Sequence, residues 1–471
     1  MHRTRKFTVG LAAIAAAVGG PLATVIPAHA ASIGDTTEFV LPNSSAPTVI
    51  VTGPDGNLWF TETGTNKIGR MTPSGTLTEF DVPTASARPN GITIGPDGQI
   101  WYTEDEAGKI ARITTAGAST EFPLGGGTTN GAEYIVTGPD NNLWVTEGDG
   151  GMVDRVTTAG VVDRFPLTVT NNPQGIASAH GLIWVAESDS GQIATVDMSG
   201  VVTQHTMPLP AGKTSTGGLD GMTTGPDGNV WFGLDDKDRM ATVDASFNFT
   251  YYTQPDSSGG EATATGPDGN VWTTESRSNK LGRFTPTGTL TEFPLPTNVD
   301  TSVPSGLVSG PDCQLWFLTR SNGSSPGGDR VGRMVVNLPG VTGASPKTGP
   351  AAGGTSVTLS GADFYKVTGV TFGGKPAASF TRTGCNTVTA TAPAGTGAVD
   401  IRVTTQDGTT PISPSDVFMY DVAAASAATP ALPKAGVGPS SGGSLGALVA
   451  MVLVVAAAVV AGARRRAGAA S

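Results

Sequence analysis

Gly53–Glu62 reads GPDGNLWFTE, and the phrase returns as GPDGQIWYTE at Gly95–Glu104, GPDNNLWVTE at Gly138–Glu147 and GPDGNVWTTE at Gly266–Glu275. The chain holds seven Trp, and all seven occupy this phrase: Trp59, Trp101, Trp144, Trp184, Trp231, Trp272 and Trp316, spaced by 42, 43, 40, 47, 41 and 44 residues. A period of about 40–45 residues carrying four short strands is the signature of a β-propeller blade. Gly-Pro-Asp-Gly makes a tight turn, with Pro favoured at the second position and Gly at the fourth. An apolar run such as GITI (Gly91–Ile94) supplies the strand before it, and the Trp run supplies the strand after it. A third strand reads NKIGRMT (Asn66–Thr72) or NKLGRFT (Asn279–Thr285); a fourth reads LTEFDVP (Leu77–Pro83), STEFPL (Ser119–Leu124) or LTEFPLP (Leu290–Pro296). Each Trp is read as core, packed between neighbouring blades.

The register predicts how the ring closes. The last blade supplies Trp316 and RVGRMVV (Arg330–Val336), but no TEF strand follows. The missing strand stands at the other end, as TTEFVLP (Thr36–Pro42), before the first GPDG. The fold class expected is therefore all-β: a seven-bladed propeller over residues 31–337, sealed by its N-terminal strand.

Composition agrees. The 471 residues include 66 Gly and 34 Pro, and only 14% are charged, which suits short strands joined by turns and disfavours a helical bundle. Hydrophobic residues make up 38%, ample for packed cores. Net charge is −11 with no basic block in the central chain, which argues against a nucleic-acid partner. Two Cys exclude a disulfide framework and a Cys-rich zinc module.

Both ends read as addresses. Residues 1–30 have a charged start (Arg3, Arg5, Lys6), an apolar stretch from Phe7 and the small-x-small pattern Ala28-His29-Ala30, as in a secretory signal cut between Ala30 and Ala31. After a linker at 422–444 comes an uncharged helix candidate, Leu445–Ala463, then a basic tail at 464–471 led by Arg464-Arg465-Arg466. Nineteen residues at about 1.5 Å each can span a bilayer core, with the arginines on the cytoplasmic side. With Leu432-Pro433-Lys434-Ala435-Gly436 ahead of it, this arrangement resembles the LPxTG-like cell-wall sorting signal of Gram-positive surface proteins, Ala435 standing in place of Thr. The resemblance implies a sortase that cuts between Ala435 and Gly436 and joins the chain to peptidoglycan; a plain membrane anchor is the alternative. Either way the bulk of the chain is expected outside the cell. Such processing leaves 22 basic and 39 acidic residues, about −17, a surface that repels polyanions.

From Leu338 the repeat stops. VTGASPKTGPAAGGTSVTLSGADF (Val341–Phe364), VTGVTFGGKPA (Val367–Ala377), TVTATAPAGTGAVDIRVTT (Thr387–Thr405) and SDVFMY (Ser415–Tyr420) read as short alternating strands with Gly-rich turns, a small β-sandwich over 338–421. The wording resembles the immunoglobulin-like IPT/TIG domain, a spacer or adhesion module in exported proteins, and an adhesin is one function open to the chain. Cys313 and Cys385 lie one in each module, so an extracellular disulfide between them would clamp the two together.

The propeller wording, GPDG-x-[LIV]-W-[FY]-TE with NKIGR, resembles the streptogramin B lyase (virginiamycin B lyase) family over roughly 300 residues. That family opens the lactone ring of its antibiotic by elimination with a magnesium ion. The resemblance implies a His in the sixth blade, and a Glu-x-His and a further Glu in the seventh, at one end of the channel. Those positions here read Glu261, then Val303 and Ser305, then Arg320, so none of the four family residues is present. The mature chain's two histidines, His180 and His205, fall in a turn and an outer strand rather than at the channel.

What stands along that channel end is polar and acidic: Asn90, Glu133, Gln174, Asp220, Glu261 and Ser305, the candidate ligand-binding set. Glu133, Asp220 and Glu261 would repel one another unless solvated or bridged by a hard cation, magnesium or calcium. A second acidic row follows the Trp (Glu62, Glu104, Glu147, Glu187, Glu275). Its recurrence argues for blade-to-blade hydrogen bonding, with the third-strand arginines Arg70, Arg112, Arg155, Arg283 and Arg333 as expected partners. The function expected is surface recognition of an unidentified extracellular ligand; a lyase rebuilt around carboxylates is the rival.

Overall fold

The computed structural model describes residues 32–421 apart from 43, 126–130, 149, 168–171, 189, 209–218, 235–238, 256–261, 297–301, 322–327 and 407. The signal segment, the LPKAG motif, the apolar segment 445–463 and the Arg tail lie outside the described residues. Among the described residues no helix is long and apolar enough to cross a membrane.

Seven four-stranded antiparallel sheets follow one another. Blade one shows the pattern: Pro47–Thr52, Leu58–Glu62, Lys67–Met71 and Leu77–Asp81, paired in chain order. The seventh takes Ser302–Ser309, Leu315–Ser321 and Arg330–Met334 from the end of the propeller and Thr36–Val40 from its start. Thr36 pairs with Met334 and Val40 with Arg330, and Phe39 stacks on Trp316 at 5.9 Å. The ring closes as its register predicts, leaving no open blade edge there.

All seven Trp are fully buried. Trp59 packs on Ile92, Ile100 and Tyr102 of the next blade, and Trp316 packs on Ile50, Leu58 and Phe60 of the first, so the same contact crosses the closure. The indole N–H needs an acceptor when buried. Asp of the GPDG turn supplies one in six blades, as in Trp59 Nε1 to Asp55 Oδ1 at 3.0 Å and Trp316 Nε1 to Asp312 Oδ1 at 2.8 Å. The first Gly of the turn leaves room for the indole: a Cβ on Gly53 would stand 2.4 Å from Trp59 Cδ1.

One expectation is corrected. The third-strand arginines do not partner the glutamates after the Trp. Antiparallel register sets Arg70 opposite Trp59 and Lys67 opposite Glu62, so the arginine shares the Trp face. The Arg70 guanidinium lies over the rings of Trp59 and Phe80 at 5.6 and 5.3 Å, and Arg112, Arg155 and Arg283 repeat this cation–π stack. Four of the third-strand arginines pair with turn aspartates, Asp97 for Arg112, Asp140 for Arg155, Asp268 for Arg283 and Asp312 for Arg333, and Arg155 is held more closely by Asp163 of the fourth strand at 2.6 Å.

The sandwich has one sheet of Gly340–Ser345, Ser356–Ala362, Thr387–Thr391 and Ser379–Thr383. It faces a second sheet built on Val417–Asp421, Gly397–Thr405 and Gly369–Phe372. Its core holds Val357, Leu359, Phe364, Phe372, Ile401 and Phe418. Propeller and sandwich form one compact unit. Cys313 and Cys385 are disulfide-bonded with Cα atoms 5.4 Å apart. Gln314 Nε2 donates to Asp363 Oδ1 at 2.9 Å beside the disulfide. Cys313 fills the fourth turn position with φ +66°, where Gly56 and Gly98 have +72° and +71°.

Candidate functional site

The first strand of six blades is bulged. Pairing slips between Pro47 and Ile50, Pro89 and Ile92, Ala132 and Ile135, Pro173 and Ile176, Leu219 and Met222, and Pro304 and Leu307. A bulge breaks the in–out alternation and re-aims side chains. Within these bulges sit Asn90, Glu133, Gln174, Asp220 and Ser305, with Thr48 as the blade-one counterpart. The backbone is pinned from the previous blade: Thr61 Oγ1 donates to the Asn90 carbonyl at 2.7 Å and Thr103 Oγ1 to that of Glu133 at 2.9 Å. Close approach is obligatory there, since a Cβ on Gly91 would stand 2.5 Å from the Glu133 carbonyl oxygen.

Every blade contributes to one cavity of about 750 Å³ at this end of the ring. Val49, Ile135, Ile176, Met222 and Leu307 give it an apolar wall, and Thr48, Asn90, Glu133, Gln174 and Ser305 a polar one. The structure thus brings together four of the six sequence-predicted candidates. Asp220 lies in the strand Leu219–Thr224, its side chain outside what is described, and Glu261 falls outside the described residues. Ser305 is 6% exposed, and its hydroxyl donates to the Pro47 carbonyl at 2.9 Å, joining blade seven to blade one. His180 and His205 do not line the cavity: His180 lies edge-on to Trp184, and His205 stacks on Phe247 at 3.9 Å. Burial holds the His205 imidazole below its ordinary pKa.

Sequence reasoning placed Arg320 at this end but missed the row to which it belongs. Thr63, Asp105, Ser276 and Arg320 line the cavity four residues after their Trp, and Arg88 and Arg277 join them. Arg88 pairs with Asp105 at 3.4 Å and Glu106 at 3.1 Å. The signal was present, since in six blades the second strand ends three residues after its Trp and the next residue falls at the channel end where the bulges lie, but the residue type changes from blade to blade. Arg320 stands opposite Val303 across the seventh-blade hairpin. The site is therefore of mixed charge rather than acidic throughout.

The family's magnesium calls for converging oxygen ligands. Among the described residues no three His, Cys, Asp or Glu side chains come together to hold a metal, and Arg88, Arg277 and Arg320 line the same cavity. Of the three carboxylates expected to hold a cation, only Glu133 has a described side chain.

A model of the virginiamycin B lyase family matches residues 25–216 and 211–342, and a model of the IPT/TIG domain matches residues 339–420. Virginiamycin B lyase from Staphylococcus aureus is 26% identical, with a TM-score of 0.58 over 64% of this chain and 99% of that one. A streptogramin B lyase structure is 27% identical, with a TM-score of 0.56 over 64% and 98%. No curated protein matches.

Proposed function

The chain belongs to the virginiamycin B lyase family, followed by an IPT/TIG domain, and from that premise we propose that it is an exported recognition protein that keeps the family's ring and binding end without its lactone-opening machinery. The observation that carries this reading is the blade-seven hairpin. Val303, Ser305 and Arg320 stand where the family chemistry asks for Glu, His and Glu, and the Ser305 hydroxyl is spent on Pro47. Val303 cannot exchange a proton, and Arg320 stays protonated at any useful pH. Losing members of a concerted set costs several powers of ten in rate. What remains is a cavity with an apolar wall and a polar, mixed-charge mouth, suited to holding a ligand of about 750 Å³ or less by shape and hydrogen bonds.

The rival reading gives Glu261 the role of base in a rebuilt lyase. A type B streptogramin incubated with the purified chain and magnesium separates the two. Elimination gives a linear isomer of unchanged mass, so the readout is chromatographic retention and fragmentation, and no linear product is expected above buffer. Ring opening that disappears in Glu261→Gln would place the chain back among the lyases.

On location, we read the ends as a signal cleaved after Ala30 and an LPKAG anchor that sortase joins to peptidoglycan. Leu432→Ala with Pro433→Ala should leave the protein exported but shift it from the wall fraction to the detergent-soluble membrane fraction. Identical release of variant and wild type by muramidase would reduce Leu445–Ala463 to a plain anchor.

A further inference from the structure

Four blades carry the same buried charge problem. Glu62, Glu104, Glu147 and Glu275 end their second strands at 1% exposure or less. In blades one, two and six a second glutamate from the fourth strand faces this end: Glu79, Glu121 and Glu292. Third-strand lysines hold the second glutamate, with Lys67–Glu79 at 3.4 Å, Lys109–Glu121 at 2.7 Å and Lys280–Glu292 at 3.1 Å. In blade three the parts change places. Asp154 of the third strand brings the second carboxyl, and Arg164 of the fourth is the cation touching both Glu147 and Asp154. Each set combines two carboxyls with one cation.

One oxygen of Glu62, both of Glu104, one of Asp154 and one of Glu275 are buried and find no hydrogen-bond donor among the described residues. Hydroxyls help only in part: Thr65 donates to Glu62 and Ser278 to Glu275. Two ionised carboxylates facing each other out of water, with a single cation beside them, are strongly disfavoured; one proton relieves both the repulsion and the orphaned oxygen. Burial, reinforced by the facing carboxylate, pushes Glu62 and Glu275 up to about 7 and Glu104 and Asp154 up to about 8.

The other blades are internal controls. Glu187 of blade four receives a hydrogen bond from Gln204 Nε2 at 2.6 Å, blade five has Leu234 and Tyr251, and blade seven has Thr319 with Glu38 paired to Arg330. The next residue after the buried glutamate lines the cavity in the Glu–Glu blades, as Thr63, Asp105 and Ser276.

We infer that the ring holds one proton between facing carboxyls in each of blades one, two, three and six, and that releasing these protons loosens the cavity rim at Thr63, Asp105 and Ser276. The inference does not depend on what the cavity binds.

The full chain, unfolded in denaturant at pH 6 in weak buffer, should release protons, because solvated carboxyls are ionised there while the folded pairs are not. On the order of four protons are expected from these sites, and Glu62→Gln/Glu104→Gln/Glu275→Gln should release about three fewer. Equal release by variant and wild type overturns the inference. Should the variant fail to fold, amide hydrogen exchange of the wild type decides. Corrected for intrinsic base catalysis, exchange after Glu62, Glu104 and Glu275 should quicken on the order of tenfold from pH 6 to pH 9 relative to that after Glu187. A uniform change across these blades overturns it.

Discussion

Blades one and four solve the same packing problem with different residues. In blade one Trp59 is capped by Phe80, crossed by Arg70 and hydrogen-bonded to Asp55. In blade four His205 and Thr195 stand in place of Phe and Arg, hydrogen-bonded to each other at 2.9 Å. Phe247 stacks on His205 and lies against Trp184 at 5.2 Å. The indole of Trp184 donates to the Ala179 carbonyl at 3.1 Å. The comparison separates what the ring requires, a buried indole with an acceptor and a flat group against it, from what is interchangeable. It also shows that the glutamate after the Trp need not face a second acid.

The seventh blade tests the ring itself and should give the largest effect. Deleting Thr36–Pro42 removes the fourth strand, the Phe39 stack on Trp316 and the Glu38–Arg330 pair at 3.4 Å. Thermal unfolding should fall by on the order of 10 °C or more, or lose its single transition. An unchanged Tm would mean that the N-terminal strand is an ornament on a ring closed by other contacts.

Next come the indoles. Trp59→Ala and Trp184→Ala should each cost about 3–5 kcal/mol by cavity formation. Blade one should lose about 1 kcal/mol more, because Arg70 loses one of its two ring partners there and among the described residues no arginine stacks on Trp184. Urea denaturation of both variants measures the difference; equal losses would show that the cation–π stacks contribute nothing to stability.

The acid pair can be moved between blades. Gln204→Glu would face Glu187 as Glu79 faces Glu62. Burial already raises Glu187, and a second carboxylate raises it further. The sign follows from linkage: a carboxyl raised above its unfolded value stabilises fully below the unfolded pKa and loses that contribution as pH rises through the folded one. The variant should match wild type at pH 4.5 and be less stable by about 2 kcal/mol at pH 8.5. A constant difference across that range would show that position 204 tolerates charge.

The fold was legible because a propeller repeats its turn chemistry: GPDG, the Trp and TEF each recur in fixed phase, and the stray TTEF at Thr36 could belong only to the incomplete last blade. The channel-end positions were named from the family resemblance, counted back from each Trp; that they sit in bulges was not legible. Neither were two other features. The third-strand arginine was assigned to the glutamate by proximity in the repeat, whereas register places it three residues away, across from the Trp. Apart from Arg320, which the family resemblance picked out, the mixed-charge rim was hidden because Thr63, Asp105, Ser276 and Arg320 share a position but no chemistry, and a repeat pattern reports only what recurs.

The smallest effect lies in blade four's turn. His180 and Gly181 take φ of +54° and +75° between Ala179 and Leu182, which pair with each other. Two consecutive positive-φ residues in a two-residue loop make a type I′ hairpin, for which Asn-Gly is the favoured pair. Histidine reaches this region at a cost that Asn largely avoids. His180→Asn should therefore stabilise the chain by a few tenths to about 1 kcal/mol, less the edge contact of the imidazole with Trp184 at 6.2 Å. His180→Asp, which restores the aspartate of the GPDG phrase but not its Gly-Pro, should not restore its hydrogen bond, because the turn is of another type and the indole is already satisfied by the Ala179 carbonyl. Thermal denaturation of the two variants side by side checks this. If Asp stabilises more than Asn, the blade is not committed to its two-residue turn and can return to the form of the other six.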